Sequence, residues 1–254
     1  MRRWVKFRFG SSEVVINVAD SAALLATVAA RLAARQGFAL ATINLDHLVK
    51  LRASTTFRAD YAAQDLIVAD GNPIVWLSQL ARKPVSLVPG SDLVEPLARV
   101  AAQAGAKVAL VGSTQHALDA AAKHLVQEIP GLNIVLCHAP AMGFDPNGPV
   151  ADQILADLAR LGVGMCFVAL GAPKQEAFAA HGRRLVPSVG FASVGAGLDF
   201  ISGDQTRAPV WVQQIAMEWA WRALSDPGRL IPRYAACAAI LPSQAIAAWK
   251  LRSS

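Results

Sequence analysis

The chain has 254 residues, of which 54% are hydrophobic and 17% charged, and its mean hydropathy is +0.37. This is enough apolar material for a buried core without a disulfide or metal staple, and it excludes a chain that is disordered throughout. The net charge of +6 sits at the ends: residues 1–10 carry four basic side chains and no acidic one, and residues 207–254 carry six basic against two acidic, so the middle is close to neutral.

The opening, Met1 to Phe9, is basic but has no apolar run of signal-peptide length, so export by that route is not expected. Beyond it, short apolar runs alternate with Ala-rich stretches of helical length. Strands are expected at Val14 to Val18, Phe38 to Ile43, Leu66 to Ala69, Lys107 to Val111, Ile134 to Cys137, Met165 to Leu170 and Val189 to Val194. Helices are expected at Ala22 to Ala34, Ile74 to Arg82, Leu93 to Ala104, His116 to Glu128, Val150 to Leu161 and Gln175 to Leu185. Asp20 or Ser21 can cap the first helix, Ser91 or Asp92 the third and Thr114 the fourth. Continuous strands rich in Val, Ile and Phe, separated by helices, give an α/β domain whose central sheet is largely parallel and covered on both faces.

Near Arg207 the composition changes. Four of the six tryptophans (Trp211, Trp219, Trp221, Trp249) fall in the last 44 residues, and Tyr234 to Trp249 contains no charge while Arg229, Arg233, Lys250 and Arg252 flank it. Pro242, Ser243 and Gln244 interrupt the run, so a membrane span is not expected. Two readings remain: an interfacial element anchored by basic and Trp side chains, or a helical lid packed on the domain. The chain is thus divided into an α/β body, 1–206, and a basic, Trp-rich helical appendage, 207–254, with an anionic membrane surface as its expected partner. No basic, aromatic-interleaved stripe runs through the body, so nucleic acid is not expected.

Ligands bind beyond the carboxyl ends of parallel strands, and the polar, glycine-bearing loops of this chain collect there. Strand by strand, these are Thr42 to His47, Asp70 to Pro73, Gly112-Ser113-Thr114, Gly171 to Glu176 and Gly195 to Phe200. Together they suggest a nucleotide-type cleft. Gly112, Ser113 and Thr114 could hold phosphate at a helix start, and Lys174 and Gln175 offer a charge and an amide beside another. Asp70 is placed either to take a proton from an acceptor hydroxyl or to cap the helix that Pro73 begins. Glu176 is read either as a first-turn dipole or capping residue or, with Lys174 and Gln175, as a substrate-binding side chain. There is no GxGxxG after the first strand and no GxxxxGK[ST], so NAD and P-loop ATPase readings lose their main support. Cys137, Cys166 and Cys237 have no metal spacing and indicate a reducing compartment; of the histidines only His47 lies near the rim.

In this order, Thr42-x-Asn44, Asp70-Gly71, Gly90-Ser-Asp92, the Gly112 loop, Gly171-x-Pro-Lys-Gln-Glu176, Gly195-x-Gly-x-x-Phe200, Gly203-x-x-x-Arg207-Ala-Pro209, Glu218-Trp219-x-x-Arg222, Pro227-x-Arg229 and Arg233-Tyr234 resemble the WecG/TagA/CpsF glycosyltransferases from about Val14 to Tyr234. The resemblance implies a Rossmann-like α/β fold and a metal-independent, inverting enzyme without cofactor. Such an enzyme moves a sugar from a UDP-sugar to a polyprenyl-diphosphate-linked saccharide during bacterial surface or secreted polysaccharide synthesis, as a peripheral protein on the cytoplasmic face of the plasma membrane. It implies Asp70 as general base, Thr42 and Asn44 as active-site polar residues, Gln175 as a substrate contact, and Arg222, Arg229 and Arg233 as diphosphate contacts. Two departures stand out: Ser86-Leu-Val-Pro89 lacks the arginine common before Gly90, and Met142-Gly-Phe144 replaces Gly-Tyr-Phe. Both sugars and any homo-oligomer stay open.

Three alternatives are carried beside it: a nucleotide-binding oxidoreductase or sugar-nucleotide modifying enzyme, a non-catalytic membrane assembly factor, and, within the transferase reading, a metal held between Asp70 and Asp199.

Overall fold

The computed structural model describes residues 4–205, 208–209, 212, 221, 224 and 227–253. Two strands, β1 (Lys6–Phe9) and β2 (Ser12–Val15), form an antiparallel hairpin apart from the main sheet. The body then runs α1 (Ser21–Ala33), β3 (Phe38–Ile43), α2 (Leu45–Ala53), α3 (Thr55–Ala62), β4 (Leu66–Ala69), α4 (Asn72–Leu80), a 3-10 turn (Gly90–Leu93) and α5 (Val94–Gln103). It continues with β5 (Lys107–Gly112), α6 (Gln115–Glu128), β6 (Asn133–His138), α7 (Pro149–Leu161), β7 (Val163–Ala169), α8 (Lys174–Leu185), β8 (Gly190–Ser193) and α9 (Gly197–Ser202). A last helix, α10, covers Pro227–Lys250.

The six-stranded sheet has the order β4-β3-β8-β7-β5-β6, and every pair is parallel. Alternation along β3 shows how both faces are filled. Phe38 and Leu40 join the core under α1, α5 and α6, while Ala41 and Ile43 join the core shared with α2, α3 and α4. The chain leaves β3 outward to β4 and returns last, through β8, to β3's other side. The carboxyl ends of β3 and β8 are adjacent, and the helices that follow them, α2 and α9, pack on opposite faces of the sheet, which leaves a ligand crevice between those ends.

Three expectations are corrected. Val14 to Val18 is not a strand of the main sheet: its first half pairs with β1, and Asn17 instead covers the β4 edge, accepting from the Ile67 amide and donating to the Asp65 carbonyl, both at 2.8 Å. Capping of α5 by Ser91 or Asp92 is not seen, because the 3-10 turn leads directly into that helix; Asp20 and Thr114 do cap α1 and α6, at 2.8 and 3.1 Å. Helices α2 and α3 were not foreseen, since their apolar periodicity is weak. They are defined by caps, with Asn44 Oδ1 accepting from the His47 amide and Ser54 Oγ from the Phe57 amide, both at 3.1 Å.

The uncharged tail segment lies inside α10. One face, Leu230, Cys237, Ile240 and Ala248, is buried together with Leu251 just beyond the helix, the last four against the hairpin, α2 and α4. The opposite face, Ile231, Ala235, Ala238, Ala239, Pro242, Ile246 and Trp249, recurs at helical spacing, is apolar throughout and is exposed. Among the described residues no helix is long and apolar enough to cross a membrane.

Candidate active site

Adjacent strands β3 and β4 are in register with Thr42 opposite Val68 and Ile43 opposite Ala69, so the residues just beyond their ends meet at the sheet's rim. There Asp70 Oδ2 accepts from Thr42 Oγ1 at 3.4 Å and from Asn44 Nδ2 at 3.5 Å. Helix α4 starts after Gly71 (φ 104°) and has no side-chain cap, which removes the capping role for Asp70. The Asp70 backbone amide donates to the Ile43 carbonyl at 2.8 Å, continuing the ladder and holding the carboxylate at the mouth.

The next loops lock to one another. Gln175 is buried, and its amide is engaged at both ends: Oε1 accepts from the Gly195 amide at 3.1 Å and Nε2 donates to Glu176 Oε1 at 2.9 Å. This ties the β7 loop to the β8 loop at the floor of the crevice. Gly90 closes the β3 side, where an added Cβ would lie 3.3 Å from Thr42 Cγ2, Thr42 Oγ1 and the Val194 carbonyl oxygen.

Glu176, counted above among the substrate-binding residues, has no exposed surface. It reaches the crevice through Gln175, and its other neighbour is His47, with Oε1 4.0 Å from His47 Nε2. Proton accounting fixes that pair. Tyr61 has one hydroxyl hydrogen, and it goes to the Thr42 carbonyl, which can only accept (3.1 Å). His47 Nδ1, 2.9 Å from the same hydroxyl oxygen, is therefore the donor, which leaves Nε2 as an acceptor turned to Glu176. A proton on Glu176 relieves the opposition of two acceptors. Burial acts the same way on both groups, pushing the Glu176 carboxyl up to about 7 and, with Lys50 assisting, the His47 imidazole down to about 4. This buried link had no signal in the sequence beyond His47's nearness to the rim.

At the β5 end, Gly112 (φ 111°) passes so close to β7 that an added Cβ would sit 2.5 Å from the Ala169 carbonyl oxygen. Both hydroxyls of this loop are committed within the protein: Ser113 donates to Asp199, and Thr114 caps α6. The Ser113 amide also donates to the Ala169 carbonyl at 2.9 Å, so what remains for a ligand here is the backbone amides at the start of α6. Lys174 opens α8 and makes no hydrogen bond or ion pair with the described residues.

The metal arrangement between Asp70 and Asp199 does not fit. Asp199 binds Ser113 and Gln205, beside the end of β5, whereas Asp70 follows β4, four strand positions away in the sheet. At ordinary strand spacing that is roughly 19 Å, far beyond what one ion can bridge. Among the described residues no three His, Cys, Asp or Glu side chains gather as metal ligands.

Of the tail arginines, Arg233 reaches the body, 2.9 Å from Asp46 Oδ2, which also pairs with Lys50 at 2.7 Å. Burial alone would raise the Asp46 carboxyl, but these two cations hold it below the usual carboxylate range. Arg222 and the Arg229 side chain lie outside the described residues. Of the two departures, Met142 is fully exposed, and Phe144 is buried with its ring 6.0 Å from Phe178.

The model of the glycosyl transferase WecG/TagA/CpsF family matches residues 11–254. A protein of Bacillus spizizenii strain W23, named N-acetylglucosaminyldiphosphoundecaprenol N-acetyl-beta-D-mannosaminyltransferase, is 30% identical over 207 residues, 78% of this chain and 77% of its own length. A protein of Bacillus subtilis strain 168 with the same name is 30% identical over 182 residues, 68% of each chain.

Proposed function

The chain belongs to the WecG/TagA/CpsF family of glycosyl transferases, and on that premise we propose that it transfers a sugar from a UDP-sugar to a saccharide linked through diphosphate to a polyprenol. As a glycosyltransferase it is neither an oxidoreductase nor a non-catalytic assembly factor. The observation that carries the acceptor chemistry is the Asp70 carboxylate at the mouth of the sheet, with Thr42 Oγ1 and Asn44 Nδ2 both directed at its Oδ2.

Those two donors orient the carboxylate. It takes the proton of the attacking acceptor hydroxyl while UDP departs from the opposite face of the donor sugar, so a single displacement inverts the anomeric centre. The leaving diphosphate is stabilised by backbone amides of the Gly112 loop, by Lys174 and by the arginines Arg222, Arg229 and Arg233, in place of a metal. The role of Gln175 is to shape the floor between the β7 and β8 loops.

A lipid-linked acceptor requires approach to a bilayer, here the cytoplasmic face of the bacterial plasma membrane. The exposed apolar face of α10 supports this, with Trp249 58%, Ile246 60% and Ile231 58% exposed and basic residues at both ends. The helix thus combines the two tail readings, packing as a lid through one face and offering the other to the interface.

The test is incubation with a panel of UDP-sugars and a diphosphate-linked N-acetylglucosamine acceptor, reading released UDP, product mass and the anomeric configuration of the new bond. N-Acetylmannosamine, the sugar in the relatives' name, is the first donor to try. No UDP release above hydrolysis with any donor would refute the reading, and retention at the anomeric centre would refute the single displacement.

A further inference from the structure

At the far end of α2 from the Asn44 cap, a cleft of about 450 Å³ opens between the hairpin, α2, α3 and α10, and it is lined by Arg8, Phe9, Gly10, Arg52, Arg58, Ser243 and Gln244. Three guanidinium groups share this space, and no carboxylate is part of its wall.

Their remaining donors are accounted for one by one. Arg58 Nη1 donates to the Leu51 carbonyl at 2.6 Å and the Arg52 carbonyl at 3.4 Å, which fixes the side chain across the C-terminal end of α2 and leaves its Nε and Nη2 hydrogens available. Arg8 Nε meets Glu13 at 3.1 Å, outside the lining, and Glu13 is shared with Lys6 at 3.1 Å. Arg52 makes no side-chain hydrogen bond or ion pair with the described residues. Set against three arginines and Lys6 is the one carboxylate of Glu13, so the excess cations repel one another, and an anion with several acceptor oxygens would offset that repulsion; forked guanidinium donors suit phosphate oxygens in particular. The Gln244 amide adds a neutral donor beside them, while the Ser243 hydroxyl donates to the Ile240 carbonyl at 2.8 Å. Both residues belong to α10, whose exposed apolar face (Pro242, Ile246, Trp249) begins beside them. If that face lies in the acyl boundary of a bilayer, the cleft stands at the level of the headgroups.

We propose that this cleft is a phosphate site that takes the headgroup of an anionic phospholipid and fixes how the enzyme sits on the membrane. The proposal rests on the membrane approach inferred above and goes beyond the transfer chemistry, since none of the three arginines belongs to the site around Asp70.

The test compares partitioning of the full-length protein onto vesicles of phosphatidylcholine with and without phosphatidylglycerol. The Arg8→Gln/Arg52→Gln variant is expected to lose about tenfold or more of its binding to the anionic vesicles. It is expected to keep the binding to neutral ones and its transfer rate on a short-chain, water-soluble acceptor. Lys123→Gln, which removes an exposed charge on α6, serves as the control for bulk electrostatics and is expected to change little. Ile246→Ser/Trp249→Ser reports on the apolar face and is expected to weaken binding to both vesicles. Binding of inorganic phosphate by titration calorimetry separates a soluble ligand from a lipid: phosphate binding that the arginine variant abolishes, with vesicle binding unchanged, overturns the lipid assignment. An arginine variant that partitions like Lys123→Gln with wild-type phosphate binding overturns the cleft while leaving the membrane reading intact. Wild-type protein that ignores both vesicles overturns the membrane reading and the lipid assignment together.

Discussion

Asn44 holds its amide nitrogen toward Asp70 and cannot turn over, because its amide oxygen is already the acceptor for the His47 backbone amide at 3.1 Å. One residue therefore starts α2 and orients the carboxylate at the rim. Asn44→Asp should keep the cap, since Asp caps as well as Asn, but place a second carboxylate against Asp70. We expect near-native thermal stability with a large loss of kcat at neutral pH. Asn44→Ala should lose the cap as well, at about 1 kcal/mol in a denaturant titration.

Asp70→Asn preserves size and removes the base. The expected result is a fall in kcat of roughly 10² to 10⁴ with UDP affinity almost unchanged, measured by steady-state kinetics and calorimetry. Because α4 has no side-chain cap, stability should hardly move.

The Glu176 and His47 pair makes opposite demands on pH. Glu176, raised from 4.5 to about 7, binds more proton when folded, so its contribution to stability is complete below pH 4.5 and is lost as pH rises to about 7. His47, lowered from 6.5 to about 4, binds less proton when folded, so its neutral form gains stability as pH rises through the same range. The two slopes nearly cancel in the intact pair. Glu176→Gln should leave the His47 slope uncovered, with stability relative to wild type rising between about pH 4.5 and 6.5. His47→Asn should show the reverse trend, a relative fall toward pH 7. Each swing is on the order of 3 kcal/mol. Asp46, Lys50, Asp60, Tyr61 and Arg233 also act on this pair and are unchanged in both variants. Parallel pH curves for all three proteins would show that no such coupling exists.

Transfer should survive exhaustive chelation. With Asp199 bound to Ser113 and far along the sheet from Asp70, cations of the protein have to meet the leaving diphosphate. Loss of activity in EDTA with rescue by Mg²⁺ or Mn²⁺ would argue for a metal brought in by the substrate's own diphosphate.

Removing residues 227–254 should damage the body. Cys237, Ile240, Ala248 and Leu251 share a core with Phe7, Leu48 and Leu77, and Lys83 and Arg252 add hydrogen bonds between tail and body at 3.0 and 2.8 Å. The uncovered apolar surface amounts to a loss on the order of 5 kcal/mol. A lowered melting temperature and aggregation are expected, and a truncated protein as stable as the whole would show that α10 is a separable appendage.

Much of this protein is legible in its sequence because the relevant forces are local. Apolar runs of strand length, Ala-rich helical stretches, the Asp20 and Thr114 caps and the polar residues after each strand all follow from neighbours within a few positions. A parallel sheet then brings those loops to one edge, which puts the Thr42 and Asp70 loops on one rim; that Thr42, Asn44 and Asp70 form one site is implied by the family resemblance. The sequence could not show that Glu176 would be sealed against His47, since that depends on α2 packing over the start of α8, 129 positions later in the chain. Nor could it show that Asp199 would turn to Ser113 instead of Asp70, because strand order is decided by which faces bury together and not by order along the chain. In α10 both levels are needed. The uncharged run is plain in the sequence, but only the fold divides it into a buried side and an exposed one, because burial is settled by what the rest of the chain leaves to be covered.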